Sequence, residues 1–306
     1  EAGHTMRVWR LPFDPPGAAF TLRLGSERVA LARRTLADLA AFRAAALADP
    51  YPGEGPLLDR LQGRDVLVIF IESYGRASLD NPLYAPAHNA IRSAAEARIA
   101  AVGLAMRSGW LASPVEGGQS WLAHATLASG LSTGSPSRYA ALLASPRHTL
   151  YDLAAIAGYR TAAIVPAITL AWPEAARLGF EVVLDAAALG YKGLPFNWVT
   201  MPDQFTLARF PALLPPDPRP LFAQVVLISS HAPWVPVPAP LPWDDVGDGR
   251  IFDRFVIGAD TPEMVWRDRA RVRSQYGLAL AYSLEIALDF AARQGPDGPL
   301  MIILGD

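Results

Sequence analysis

Two acidic side chains close two apolar runs of strand length. Glu72 follows Asp65-Val66-Leu67-Val68-Ile69-Phe70-Ile71, and Asp306 follows Leu300-Met301-Ile302-Ile303-Leu304-Gly305. Between them, Ser120 follows Glu116-Gly117-Gly118-Gln119 and opens the helical run Trp121-Leu122-Ala123-His124-Ala125-Thr126-Leu127. If both runs are buried parallel strands of one sheet, their carboxylates emerge at the same edge, where open α/β sheets collect ligands. A carboxylate pair binds a divalent cation, and such a cation lowers the pKa of a coordinated hydroxyl enough to make serine a nucleophile. A serine that begins a helix also aims free backbone N–H groups at an anionic group in front of it. These residue types in this order point to a metal-dependent enzyme.

The elements that must position them can be read in outline. Residues 1 to about 26 are punctuated by Pro and Gly, with a weak strand signal at Ala19–Leu24. Residues Glu27–Ala48 have the spacing of an amphipathic helix. The stretch Asp49-Pro50-Tyr51-Pro52-Gly53-Glu54-Gly55-Pro56 reads as a linker. Residues 1–56 are therefore expected to be an extension and linker, and 57–306 a catalytic domain that is incomplete at its C-terminus.

Within that domain, helices are expected at Ala90–Ser108, Ser120–Leu131, Thr149–Ala157 and Pro262–Gln294. Strands are expected at Val66–Ile71, Trp110–Ser113, Arg160–Val165, Glu181–Leu184, Leu221–Ser229 and Leu300–Leu304. The alternation predicts an α/β protein with a mainly parallel central sheet and helices on both faces.

Bulk properties exclude several classes. A chain of 306 residues that is 51% hydrophobic and 18% charged can bury a large core. With 24 glycines and 28 prolines it is not a low-complexity sequence. A net charge of −2 gives no footprint for nucleic acid. The segment Arg267-Asp268-Arg269-Ala270-Arg271-Val272-Arg273 reads as a solvated helix face rather than a binding patch. Without cysteine there is no disulfide, thiolate metal site or cysteine nucleophile. No run of eighteen apolar residues is present, and the first residues lack the basic-then-apolar pattern of a signal peptide.

The ordered set of Glu72 after the first strand, Gly118-Gln119-Ser120 at a helix start, Ser230-His231-Ala232-Pro233-Trp234, and the final Gly305-Asp306 resembles the alkaline phosphatase superfamily. It is most similar to the sulfatase-like membrane branch, which includes lipoteichoic acid synthases and phosphoethanolamine transferases. The resemblance covers about residues 64 to 306 and implies an alkaline phosphatase-like three-layer sandwich. It implies that Ser120 is the nucleophile, that Glu72, Ser120 and Asp306 bind a metal, Zn or Mn, and that His231 holds a substrate oxygen or a second metal. Trp172, in Ala171-Trp172-Pro173-Glu174, sits where lipoteichoic acid synthases carry a substrate-contacting Trp. The His and Arg that flank that Trp have no counterparts here, which argues against phosphoglycerol. In the family the last Asp is followed by a His ligand, so the metal site is expected to be incomplete within these residues. The substrate would be a lipid head group or envelope glycan. The parent protein would be anchored in the inner membrane by helices before residue 1, with this domain in the periplasm.

Other readings stand beside this one. A sulfatase-like domain without catalysis, binding lipid or regulating a partner, would keep the same fold. A cytosolic enzyme similar to cofactor-independent phosphoglycerate mutase would need a second ligand cluster that the sequence lacks. Gly134-Ser135-Pro136-Ser137-Arg138 imitates an arylsulfatase signature, but glycine cannot become the formylglycine nucleophile. His124 shares a helical face with Ser120; a core or surface role is weighed above that of a base.

Overall fold

The computed structural model describes residues 20–51, 57–61 and 63–306, with side chains from residue 23 onward. In chain order its main elements are α1 (Phe20–Leu47), β1 (Val66–Ile71), α2 (Ala85–Ala101), α3 (Ser120–Ser129), α4 (Pro136–Leu143) and α5 (Leu150–Ile156). Then come β2 (Arg160–Val165), β3 (Val182–Asp185), α6 (Asp203–Leu213), β4 (Leu221–Leu227), α7 (Arg269–Arg293) and β5 (Leu300–Gly305). Two compact units result. The smaller comprises the described residues up to Pro50 together with Ser135–Arg147; the larger comprises Tyr51–Gly134 and His148–Asp306.

In the smaller unit α1 packs against α4. Arg138 forks onto the Asp38 carboxylate and lies over the Phe42 ring, 5.5 Å from its centroid. The weak strand signal near residue 20 is overturned, since helix covers residues 20–24; Ala19 lies outside the described residues, as do 52–56 of the expected linker. Ala, Leu and Arg fill this stretch, and their high helix propensity outweighs the few β-prone side chains.

The larger unit is built on five parallel strands in the order β3-β2-β4-β1-β5, flanked by helices. The expected α/β class with a parallel sheet is what the structure shows. β1 and β2 are buried along their whole length, and six of the seven residues of β4 are buried. Near-continuous apolar runs of this kind mark strands covered on both faces. The connection from β1 runs leftward to β2 and then β3, whereas β4 leads rightward past β1 to β5. Right-handed crossovers put helices of opposite travel on opposite faces. β1 and β4 are neighbours whose exits diverge, which opens a crevice at their carboxyl ends.

Four expected elements change. Residues Trp110–Ser113 form no strand; Trp110 and Leu111 are both 69% exposed and find no neighbour to pair with. The second helix is Ala85–Ala101 rather than 90–108: Pro86 sits in its first turn, and the backbone turns left-handed at Gly103. The long helix expected from Pro262 is broken at Asp268, whose extended backbone and side chain, accepting from the Ala270 N–H at 2.8 Å, restart it as α7. The helix α3 stops at Ser129 because Gly130 takes a left-handed C-cap.

Inside the core, the Tyr151 hydroxyl donates to Gln224 Oε1 of β4 at 2.8 Å, and both residues are buried. Tyr151→Phe leaves that amide oxygen without its donor. Urea denaturation should show a loss of about 1–3 kcal/mol; an unchanged midpoint would contradict the role given to this bond.

Candidate active site

The register of the central strands sets the site. Ile71 lies opposite Gly305 of β5 and opposite Leu227 of β4, so the residues that follow, Glu72, Asp306 and Ile228, leave the sheet at one level. The chain turns at once after Glu72. Ser73 adopts a left-handed φ of 60°, and its N–H donates to Asp306 Oδ1 at 3.1 Å, across 233 positions of sequence.

This turn brings the Tyr74 backbone down onto the end of β5. A Cβ at Gly305 would stand 1.6 Å from the Tyr74 carbonyl oxygen. Only glycine fits there, and this explains its place before Asp306 in physical terms.

Ser120 is presented differently. Gly117, Gly118 and Gln119 are three consecutive left-handed residues, with φ of 73°, 77° and 60°. They turn the chain sharply into α3, whose first residue is Ser120. The non-glycine member, Gln119, carries strain of the kind that accumulates at functional sites. The Ser120 side chain lies near enough to the Glu72 carboxylate to favour its charged form. One turn further along α3, His124 Nε2 lies 3.3 Å from Asp306 Oδ2 while its ring packs on Phe70 with centroids 4.1 Å apart. The packing role weighed for His124 is met, and the contact with Asp306 also makes it part of the cluster.

Burial and the neighbouring Asp306 charge push the Glu72 carboxyl up to about 8, against smaller opposing effects of Ser120 and Ser73. The Asp306 side chain is only 2% exposed. No cationic side chain acts on Glu72. Two carboxylates and a hydroxyl sharing a dry crevice form an oxygen set that lacks positive charge. Oxygen donors of this kind are of the type that could take up a divalent cation. Among the described residues no group of three His, Cys, Asp or Glu side chains is arranged to hold a metal alone. Any ion here would therefore draw on Ser120 as well as the two acids.

The β4 exit forms the opposite wall. The Ser230 hydroxyl donates to the Glu72 carbonyl, and the Glu72 N–H donates to Leu227 O at 3.1 Å. His231 follows on an exposed turn, its N–H bonded to Ile228 O at 3.0 Å. Trp234 donates its indole N–H to Ser230 O at 2.8 Å and stacks on Trp266, with centroids 5.7 Å apart and planes 9° from parallel. Tyr276 meets Trp234 edge-on and donates its hydroxyl to Ser73 O at 3.1 Å. Trp172 stands apart from this cluster. It packs against Phe180 in the loop after β2, two strands from β1, roughly 10 Å away at ordinary strand spacing.

Asp203, the first residue of α6, supports the rim of the candidate site, and the sequence reading did not single it out. It is fully buried and accepts from the Ile228 N–H at 2.7 Å, the Ser229 N–H at 2.9 Å and the Ser283 hydroxyl at 2.6 Å. Its own N–H donates to the Ser229 hydroxyl at 2.9 Å. These bonds fix the segment from which Ser230 and His231 project. The signal in the sequence was Pro202-Asp203, a helix-start pair.

No family model matches the sequence, and none of the curated proteins is significantly similar to it. Among solved structures, the chain is similar to the crystal structure of the lipoteichoic acid synthase LtaP from Listeria monocytogenes. The TM-score is 0.49 at 14% identity, over 83% of this chain and 56% of that one. The chain thus spans little more than half the length of that structure. The α/β fold itself stands on the five parallel strands described above.

Two outcomes test this geometry. Gly305→Ala forces the Tyr74 segment away from β5 and should destabilise the protein by about 1–3 kcal/mol in chemical denaturation; an unaltered midpoint would refute the close approach. Glu72 is the second case. Its folded pKa lies above its unfolded value of 4.5, so the folded state holds a proton that the unfolded state releases between pH 4.5 and about 8. In EDTA, stability should therefore fall as pH rises through that window. Glu72→Gln should flatten the decline, giving the variant the higher melting temperature at pH 8.5. Parallel pH profiles for both proteins would show that Glu72 is not the responsible group.

Proposed function

We propose that the larger unit is the catalytic domain of an extracytoplasmic transferase or hydrolase acting on phosphodiester or sulfate esters of lipid head groups or envelope glycans. The observation that carries this reading is the meeting of Glu72, Ser120 and Asp306 at one end of β1 and β5. The lipoteichoic acid synthase similarity is compatible with it in fold only.

In this reading Ser120 Oγ attacks phosphorus or sulfur, the bond to the ester oxygen breaks, and the proton lost by the serine hydroxyl is balanced by one taken up by that oxygen, which leaves as an alcohol. The resulting seryl ester is then resolved by water or by a second alcohol. The first N–H groups of α3 face the ester oxygens and stabilise the charge that builds on them. Glu72 accepts the Ser120 hydroxyl as a hydrogen-bond partner and orients it for attack. Asp306, bonded by Ser73 N–H and neighboured by His124, is held in a fixed rotamer beside it. A divalent ion held by Glu72, Ser120 and Asp306, Zn or Mn, would acidify the serine hydroxyl and neutralise the ester oxygens. His231, on its exposed turn across the crevice, contacts a substrate oxygen, and Trp172 contacts a more distant part of the substrate.

The wider setting is also a proposal. Among the described residues no helix is long and apolar enough to cross a membrane. The periplasmic placement and an anchor in the inner membrane before residue 1 follow from the family resemblance.

The decisive comparison is Ser120→Ala against the parent in the full-length protein, assayed with a chromogenic phosphodiester and a sulfate ester, with Zn or Mn supplied. Turnover should drop by about a thousandfold or more, as for loss of a nucleophile, and EDTA should abolish it in the parent. Equal turnover in parent and variant would remove Ser120 from the mechanism. Absence of turnover in the metal-loaded parent would favour a non-catalytic binding domain.

A further inference from the structure

Beyond the reactive crevice, a groove of about 630 Å³ opens along the same carboxyl edge of the sheet. Its walls include Thr169 from the loop after β2, Asn197, Trp198 and Thr200 from the segment between β3 and α6, and Pro233 from the β4 exit. Glu263, in the single-turn helix Pro262–Trp266, closes one side. Pro233 lies two residues after His231, so one short segment walls both the crevice and the groove.

Trp198 is held out deliberately. Phe196 and Val199 bond to each other in both directions, Phe196 N–H to Val199 O at 2.8 Å and Val199 N–H to Phe196 O at 3.1 Å. Asn197 and Trp198 are the tip of this tight loop, with Asn197 in a left-handed conformation at φ 58°. The Asn197 amide donates to the Val235 carbonyl and ties the tip to the β4 exit. Trp198 is nevertheless 80% exposed. A large apolar ring fixed on a pinned turn and left in water is a preorganised contact surface.

The polar groups around it narrow the occupant. Glu263 stands in water beside Thr261, whose hydroxyl favours the charged form of its carboxyl. None of the residues that line the groove is cationic. An anionic group such as phosphate is therefore repelled. The Thr200 hydroxyl donates to Pro166 O at 2.7 Å and so turns its lone pairs outward as acceptors. An aromatic face for apolar C–H groups, beside a carboxylate and hydroxyl oxygens for O–H donors, suits a polyol ring.

We infer that this groove is a subsite for a neutral sugar ring of the substrate or acceptor. The inference rests on reading the neighbouring crevice as the reaction centre, and it narrows the ester chemistry proposed there to a glycan-bearing molecule. The ring stacks on Trp198, and its hydroxyls donate to Glu263 and Thr200.

The test is binding, measured on the Ser120→Ala protein in EDTA so that it depends on neither the nucleophile nor a metal. Gentiobiose, maltose and N,N′-diacetylchitobiose would each be titrated by saturation-transfer NMR, with glycerol 1-phosphate as the anionic comparator. At least one disaccharide should bind saturably and glycerol 1-phosphate should not displace it. Trp198→Ala should weaken that binding roughly tenfold, the loss of one aromatic contact, and Trp198→Phe should restore part of it. Glu263→Gln tests the charge argument by admitting glycerol 1-phosphate. Failure of all three disaccharides to bind, equal binding by Trp198→Ala, or preferential binding of glycerol 1-phosphate would each overturn the inference, while leaving the Ser120 assay to stand or fall separately.

Discussion

Everything at the site follows from the pairing register of β1 with β5. With Ile71 opposite Gly305, the two acids that terminate these strands emerge side by side and share one buried crevice. Two like charges in a low-dielectric place repel strongly, and Glu72 answers that repulsion by holding its proton to higher pH, while Asp306 is fixed by the Ser73 N–H. The glycine at 305 is the condition for this arrangement, because the Tyr74 carbonyl occupies the volume any side chain would need. The site is thus a structure that folds around a charge deficit, with the serine delivered to it by a separate left-handed turn.

The remaining walls are organised by the divergence of β1 and β4. Their exit segments touch through the Ser230 hydroxyl and the Glu72 carbonyl, then separate to opposite sides of the sheet. The aromatic trio of Trp234, Trp266 and Tyr276 fills the space this divergence leaves, and the Tyr276 hydroxyl closes back onto Ser73. The aromatic trio and the polar cluster are thus linked through the Tyr276 hydroxyl.

Much of this was legible in the sequence. The buried strands read clearly because covered parallel strands are apolar at nearly every position; β2 falls on the expected residues, and β1 is the apolar run that precedes Glu72. The convergence of Glu72, Ser120 and Asp306 was legible because strand ends and helix starts carry their own punctuation. Boundaries set by a single capping residue were not: Asp268 interrupts a helical pattern that periodicity alone carries through. The run Trp110–Ser113 has the composition of a strand but no edge to join. Asp203 could be read only as part of a helix start, for another reason. Its importance lies in who donates to it, and Ile228, Ser229 and Ser283 are brought to it only by the tertiary fold.

That buried carboxylate has a further bearing on how the molecule meets what it binds. With three donors converging on it and no water needed to satisfy it, the rim from which Ser230 and His231 project is clamped from beneath. Any hinge-like movement of that rim would have to break these bonds first. On that side the rim keeps the shape that these bonds give it.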